Sequence, residues 1–184
     1  VPGSTFNNNS AFYNYGLVTN NGTLNNNAWL LDQGTMNNTG VFNLNNGGSY
    51  ELRKTATSLI NGPLNWYSGG EVIIGTGGNV TLDNLTIAAG QSLTIRGRLM
   101  MNNPLVNNGT VTLNGKLALN YPNITFPIFS GLVWNAYSHL TIGPAGTMSL
   151  NTPLTVPKNA VLNIEGVLTA NPGSTLLDHD GWID

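Results

Sequence analysis

The chain has 184 residues, of which only 8% are charged, whereas about 25% is usual in globular proteins. A net charge of −2 and the lack of a long apolar run predict that it neither binds nucleic acid nor inserts into a membrane, and the absence of cysteine excludes disulfides and thiolate metal sites. Thirty asparagines and 23 glycines replace the charged residues, while 40% of the chain remains hydrophobic. This composition favours a folded protein of short strands and tight turns, because Asn and Gly tolerate positive φ.

The first part of the chain, residues 1–48, carries an apolar residue at every sixth position. A small residue precedes each apolar one by two positions, and the register holds for seven units. This period fits a β-solenoid, in which each short strand points a side chain inward before the chain turns a corner. Leu24 is then expected to face the core, whereas Asn26 is expected to tolerate a charge. The apolar positions are Phe6, Phe12, Val18, Leu24, Leu30, Met36 and Phe42.

Asparagine follows the apolar residue in most of these units, as in Leu24-Asn25-Asn26-Asn27-Ala28-Trp29. Stacked Asn side chains form hydrogen bonds along a solenoid axis, so we predict Asn ladders at the repeated corners. The spacing of apolar and small residues resembles the hexapeptide repeat of left-handed β-helices. That resemblance implies a triangular coil made of three hexads.

The regular hexads end near residue 48. Residues 49–78 lose the register, so we expect a lateral loop there or a transition between two coil types. In residues 79–184 a fourteen-residue repeat of alternating strands and glycines appears, which predicts longer strands and larger coils. An aromatic insertion at 121–139 interrupts it. We predict one elongated all-β domain over residues 1–184, a β-solenoid with almost no helix.

Residues with catalytic or metal-binding potential are sparse. His139 and His179 lie in no nucleophile or metal motif, and no phosphate-binding loop is present. We therefore expect a protein that is not an enzyme and holds no cofactor. One acidic cluster, Asp178, Asp180 and Asp184, resembles part of a calcium-binding loop and is a candidate structural calcium site. A solvated polar tail is the alternative.

Two further sets of residues are candidates for a role at the surface. Seven Asn-x-Ser/Thr sequons are candidate glycosylation sites, although a chain rich in Asn and Thr also produces sequons by composition. Five aromatic residues within 121–139 are candidates for a subunit interface or glycan platform, with a loop packed over the core as the alternative. The sequons are at Asn8, Asn21, Asn37, Asn79, Asn84, Asn108 and Asn123. The aromatic residues are Tyr121, Phe126, Phe129, Trp134 and Tyr137.

Two runs rich in Asn, Gly and Thr, residues 19–26 and 106–113, resemble the repeats of microbial surface β-solenoids. That group includes filamentous-haemagglutinin-like adhesins, autotransporter passengers and self-assembling sheath or surface-layer proteins. The resemblance implies a secreted or cell-surface protein with a non-enzymatic role.

Two functions remain open from the sequence. The first is a structural subunit that polymerises with itself into a sheath, fibre or surface layer. The hexads begin at Ser4, so we expect no N-terminal cap and no charge on the first coil to block its strand edges. The second is an adhesin stalk in which residues 49–78 or 121–139 bind a glycan or a host protein. We favour assembly, because two repeat types occur within a compact length.

Overall fold

The computed structural model describes residues 3–56, 64–82, 85–126, 132–178 and 182–183. These residues form 27 strands and no helix, which confirms the prediction of an all-β fold; nor do they include a helix that could cross a membrane. The strands are β1 (Thr5–Asn8), β2 (Phe12–Asn14), β3 (Leu17–Asn20), β4 (Thr23–Asn26), β5 (Trp29–Asp32), β6 (Thr35–Asn38), β7 (Val41–Leu44), β8 (Ser49–Leu52), β9 (Thr55–Ala56), β10 (Leu64–Trp66), β11 (Glu71–Ile74), β12 (Asn79–Leu82), β13 (Leu85–Ile87), β14 (Ser92–Ile95), β15 (Arg98–Met101), β16 (Leu105–Asn107), β17 (Thr110–Leu113), β18 (Lys116–Leu119), β19 (Ile124–Phe126), β20 (Leu132–Trp134), β21 (His139–Ile142), β22 (Thr147–Leu150), β23 (Leu154–Val156), β24 (Val161–Ile164), β25 (Val167–Ala170), β26 (Leu176–Asp178) and β27 (Trp182–Ile183).

Each described strand pairs in parallel with the third strand before or after it in the chain. The pairing produces three faces, and the two longest sheets each contain seven strands. One is β2-β5-β8-β11-β14-β17-β20, and the other is β9-β12-β15-β18-β21-β24-β27. The remaining face is built from shorter ladders that include β1-β4-β7-β10 and β19-β22-β25. The fold is therefore a parallel β-solenoid with three strands to a turn.

The length of a turn changes along the chain. Thr5 pairs with Thr23, so the first turns contain 18 residues, or three hexads. Thr55 pairs with Asn79, a turn of 24 residues, and later turns vary between these limits. The coils thus become larger, as expected, but the strands do not lengthen, since they stay at two to four residues throughout the described chain. The expectation of longer strands was wrong.

The fourteen-residue repeat does not correspond to one turn. Leu140 lies on β21 and Leu154 lies on β23, which belong to different faces of the solenoid. Fourteen residues therefore span two strands and two corners. The segments that resemble each other in sequence lie on neighbouring faces of the solenoid, not on top of each other. Within 49–78, where we expected a lateral loop or a transition, the described residues form strands β8 to β11 of the continuous ladders.

The two repeat types differ in what they place inside the solenoid. On β4, Leu24 and Asn26 point inward, and the hexad strands before β7 likewise combine one apolar and one polar inward position. On β7, the inward pair is Phe42 and Leu44, and most later strands also contribute two apolar residues. The loss of the hexad register thus marks the replacement of the inward Asn by an apolar side chain.

Small residues between the strands are required by the close stacking of turns. A Cβ atom on Gly34 would lie 2.1 Å from the backbone oxygen of Gly16, and one on Gly40 would lie 2.1 Å from that of Gly22. No side chain fits at such distances, because a carbon and an oxygen in contact need more than 3 Å. The small residue of each hexad therefore permits one backbone corner to rest directly on another.

Asn26 is fully buried, which corrects the expectation that it tolerates a charge. Leu24→Asp should lower the free energy of unfolding by about 4 kcal/mol or more, because it buries an unpaired carboxylate, and Asn26→Asp should also cost several kcal/mol. The matched control is Asn25→Asp, which points outward and loses only its donated hydrogen bond to Asn7, worth about 1 kcal/mol. Chemical denaturation measures all three. Equal stability of the Leu24 and Asn25 variants would contradict the inward assignment of Leu24.

Candidate functional site

The predicted Asn ladders are present, and one set lies inside the solenoid. The side-chain amide of Asn8 donates to Asn26 Oδ1 at 2.6 Å and to the backbone oxygen of Trp29 at 3.1 Å. Asn20 makes the corresponding bonds to Asn38 Oδ1 and to the backbone oxygen of Val41. These bonds satisfy a polar group that would otherwise destabilise the interior. Inner ladders of this kind tie each corner to the following turn.

A second set of ladders runs along the outside in the opposite direction. Asn25 Nδ2 donates to Asn7 Oδ1 at 2.8 Å, Asn43 donates to Asn25 at 2.8 Å, and Asn65 donates to Asn43 at 2.9 Å. Here the donor always lies on the later turn, whereas in the inner ladders it lies on the earlier one. Each outer ladder therefore has a direction along the solenoid axis.

One inner ladder contains an acid in place of Asn. Asp32 is completely buried and accepts a hydrogen bond from Asn14 Nδ2 at 3.0 Å. Its other oxygen lies 2.8 Å from Lys54 Nζ and accepts a bond from the Tyr50 hydroxyl at 3.1 Å. Lys54 also donates to the backbone oxygen of Gly34. The four side chains form a polar cluster that spans three turns, in which Asn14, Asp32 and Tyr50 are buried and Lys54 is 19% exposed. We call it the Asp32 cluster.

Tyr50 of the Asp32 cluster is buried on all sides. Burial raises the pKa of its phenol well above the usual value, and the negative charge of Asp32 together with the hydrogen bond to it raises the pKa further. The hydroxyl therefore keeps its proton and remains a donor to Asp32. Sequence reasoning missed this cluster; the available signal was an aspartate at a hexad position that holds Asn in neighbouring units.

A second ionic group lies on the outward side of β8. Glu51 Oε1 is 2.6 Å from Arg53 Nε, and Glu51 Oε2 accepts a bond from Trp29 Nε1 at 3.2 Å. Glu51 is buried although it points outward, because these two side chains lie against it. Arg53 and Lys54 thus both have acidic partners and are components of the folded structure.

The first described turn leaves its apolar interior open. Phe6 is 48% exposed although the equivalent residue one turn later, Leu24, is only 3% exposed. Phe6 packs edge-to-face on Phe12, with ring centroids 5.5 Å apart. These rings, with Val18 and Leu24, line a depression of about 220 Å³. The hexad register correctly gave the inward direction of Phe6, but within the described ranges no turn covers its ring.

Basic residues gather on the face formed by β12, β15, β18, β21 and β24. Arg98 pairs in register with Lys116, and Lys116 pairs with His139, so the three side chains stand side by side on adjacent strands. They line a depression of about 420 Å³, together with Arg96 and Tyr137. We call this surface the cationic face. Its signal in the sequence is weak, because the unequal turn lengths hide the alignment of these residues.

The acidic residues proposed as a calcium site are largely outside the described chain. Asp178 ends β26, but Asp180 and Asp184 lie outside the described residues. Among the residues that the structure describes, no three acidic, histidine or cysteine side chains are grouped as metal ligands. The calcium site stays a prediction.

The sequons differ in accessibility. Asn8 is buried in an inner ladder, and a glycan there would fill the interior, which argues against this site. Asn84 lies outside the described residues. Glycosylation at the remaining sequons stays a prediction, and their side chains are exposed; they are Asn21, Asn37, Asn79, Asn108 and Asn123.

The aromatic residues proposed as an interface do not form one group. Tyr121 is a core residue at 5% exposure, and burial raises the pKa of its phenol while a bond from the Leu105 backbone amide lowers it less. Trp134 is half-buried, and its indole nitrogen has no partner among the described residues. Tyr137 is 75% exposed and lies beside the cationic face. The side chain of Phe126 and all of Phe129 lie outside the described part of the chain.

Comparison with known proteins found no matching protein-family model, no matching curated protein and no matching solved structure. The parallel solenoid and its Asn ladders are thus established from the chain itself. The likeness to microbial surface proteins stays a prediction.

Removal of Lys54 from the Asp32 cluster should be strongly destabilising. Lys54→Met leaves a buried carboxylate without its counter-charge, which costs about 3–5 kcal/mol. The double variant Asp32→Asn/Lys54→Met should be clearly more stable than Lys54→Met alone, because it restores the amide found at this position in neighbouring hexads. Urea unfolding of the two single variants and the double variant measures the coupling. Additive losses would contradict a direct interaction between the two residues.

Tyr50 should make the protein sensitive to alkaline pH. Because its pKa is raised in the folded state, the native protein holds the proton more tightly than the unfolded chain. The resulting stability is present in full below about pH 10 and is lost as the pH rises through the native pKa. Tyr50→Phe should reduce this loss between neutral and alkaline pH, with part of it remaining because Tyr121 is also buried. Tyr15→Phe, at an exposed tyrosine, is the control, and an unchanged slope for the Tyr50 variant would refute the assignment.

Proposed function

We propose that this chain is a non-enzymatic extracellular structural protein whose solenoids stack end to end into a fibre, sheath or surface layer. The observation that carries the proposal is the open apolar interior of the first described turn. Phe6 is half exposed where another turn would cover it, and among the described residues the edges of β1, β2 and β3 have no neighbouring strand on that side. A second copy stacked there would bury the rings and continue the backbone ladders.

The opposite end of the described solenoid supplies a similar surface. Leu168 on β25 and Leu176 on β26 occupy inward positions and are only partly buried. Apolar interior is thus partly exposed at both ends of the described solenoid. The occupant that fits this end is the first turn of another copy of the chain.

The outer Asn ladders favour one orientation of such a contact. Asn27 donates to Asn9 at 2.7 Å, and Asn171 donates to Asn151 at 2.6 Å, with all four residues at the same corner of the solenoid. Because the oxygen of Asn9 accepts the bond from the second turn, its amide nitrogen points toward the open side of the first turn. Because the amide nitrogen of Asn171 donates to the preceding turn, its oxygen points toward the open side of the last described turn. In a head-to-tail stack, Asn9 would donate to Asn171 of the next copy. Contacts of this heterologous type produce open filaments.

An adhesin stalk that binds a glycan is the second candidate. The cationic face and the exposed ring of Tyr137 favour it, because charged side chains and aromatic rings are suited to binding acidic sugars. The two functions are compatible, since assembly uses the ends of the solenoid and binding uses a side.

End-to-end assembly is tested by electron microscopy and light scattering of residues 1–184 at increasing concentration, with and without calcium. Wild type should form filaments or sheets, whereas Phe6→Lys should remain monomeric, because a charge would enter the buried joint. Leu17→Lys is the matched control: it adds the same charge on the same turn, at an exposed outward position, and should assemble normally. Monomeric wild type under all conditions, or equal assembly of the two variants, would overturn the proposal.

A further inference from the structure

The cationic face places the positive charges of Arg98 and Lys116 at adjacent positions with His139 beside them, and among the described residues none of the three forms an ion pair. Arg98, Lys116 and His139 stand in one row on neighbouring strands, about 4.8 Å apart. Like charges placed directly opposite each other on a sheet destabilise it. The chain has only six Lys and Arg residues, so this concentration is a distinctive feature of its surface.

Two other basic residues, unlike those of the cationic face, have acidic partners. Arg53 and Lys54 are paired with Glu51 and Asp32, within 2.6 and 2.8 Å. Among the described residues, no acidic side chain forms an ion pair with Arg98, Lys116 or His139. The positive potential of the cationic face is therefore available to a ligand, and a bound anion would relieve the repulsion within the row.

The shape of the surface supports binding of an extended molecule. The depression of about 420 Å³ is lined by Gly97 and Gly115 as well as by the row of basic side chains. An adjoining depression of about 350 Å³ shares Arg98 and Lys116 and continues toward Glu165, whose carboxylate accepts a bond from Asn163. The two depressions share the same row of charges, so the accessible surface follows the solenoid axis.

Tyr137 gives this surface an aromatic wall. Its ring is exposed, and its backbone has a φ of 62°, in the left-handed region that is uncommon for a bulky residue. The turn that contains it is held by a hydrogen bond from the Tyr137 amide to the Asn159 backbone oxygen at 3.1 Å. An exposed ring beside a row of basic side chains offers a stacking surface for the apolar face of a sugar.

We infer that the cationic face binds an acidic polysaccharide, a chain of sugars bearing carboxylate or sulfate groups, along the solenoid axis. Arg98 and Lys116 contact the anionic groups, and Tyr137 packs against a sugar ring. A chain with a net charge of −2 and a single row of cations suits a polymer with spaced charges better than the dense phosphates of nucleic acid. This inference deepens the adhesin function proposed above and is independent of end-to-end assembly.

Binding of an acidic polysaccharide to the cationic face is tested by isothermal titration calorimetry of residues 1–184 with polygalacturonate, dextran sulfate and neutral dextran at low salt. Wild type should bind one of the two anionic polymers and not dextran, with affinity that falls as salt rises. Arg98→Gln/Lys116→Gln should weaken binding at least tenfold. The control Val106→Glu/Thr155→Glu makes the same change in net charge at exposed sites on other faces and should stay within about threefold of wild type.

The source of the anionic group is decided by which polymer binds more tightly: polygalacturonate indicates carboxylate sugars and dextran sulfate indicates sulfated ones. Tyr137→Ala should weaken that binding several-fold without changing its salt dependence, since the ring carries no charge. No binding of either polymer, equal losses in the two double variants, or equally tight binding of single-stranded DNA would overturn the inference. Electron microscopy of the same variants shows whether filaments or sheets still form. A loss of polysaccharide binding is thereby distinguished from a loss of assembly.

Discussion

The structure depends on in-register stacking of parallel strands, which places each residue directly above the residue one turn earlier. Whatever side chain occurs at a position must therefore be compatible with its neighbours along the axis. Leu24 stacks between Phe6 and Phe42, and Asn25 stacks between Asn7 and Asn43. Rows of like residues satisfy this constraint with packing inside and amide ladders outside.

The polar interior of the first turns is stable because every amide at the corner has a partner. Asn8 and Asn20 bridge to the next turn with both a side-chain and a backbone acceptor. The Asp32 cluster is the one charged variant of this arrangement among the described residues, and Lys54 compensates the acid within the same region. Beyond β7 most inward corner positions become apolar and no longer need such partners.

The strict period of six predicted the solenoid and the Asn ladders, because it records the geometry of stacking directly. The turn of three hexads was predicted by the resemblance to the repeat of left-handed β-helices. The period misplaced Asn26, since a repeat identifies equivalent positions without stating which of two polar residues points inward. The Asp32 cluster joins residues 18 to 22 positions apart on successive turns, and the cationic face joins residues across turns of unequal length. Such contacts depend on the number of residues in each turn. The glycine-rich corners vary in length, so the sequence alone does not show which residues of successive turns lie side by side.

The spacing of paired strands also bears on how the chain folds. Each turn closes after 18 to 24 residues, so the sequence separation of contacts is set by one turn and is roughly a tenth of the chain length. That contact order is typical of helical proteins and lower than that of most β proteins. Folding can therefore begin at one pair of turns and spread to its neighbours, and unfolding should proceed inward from the ends.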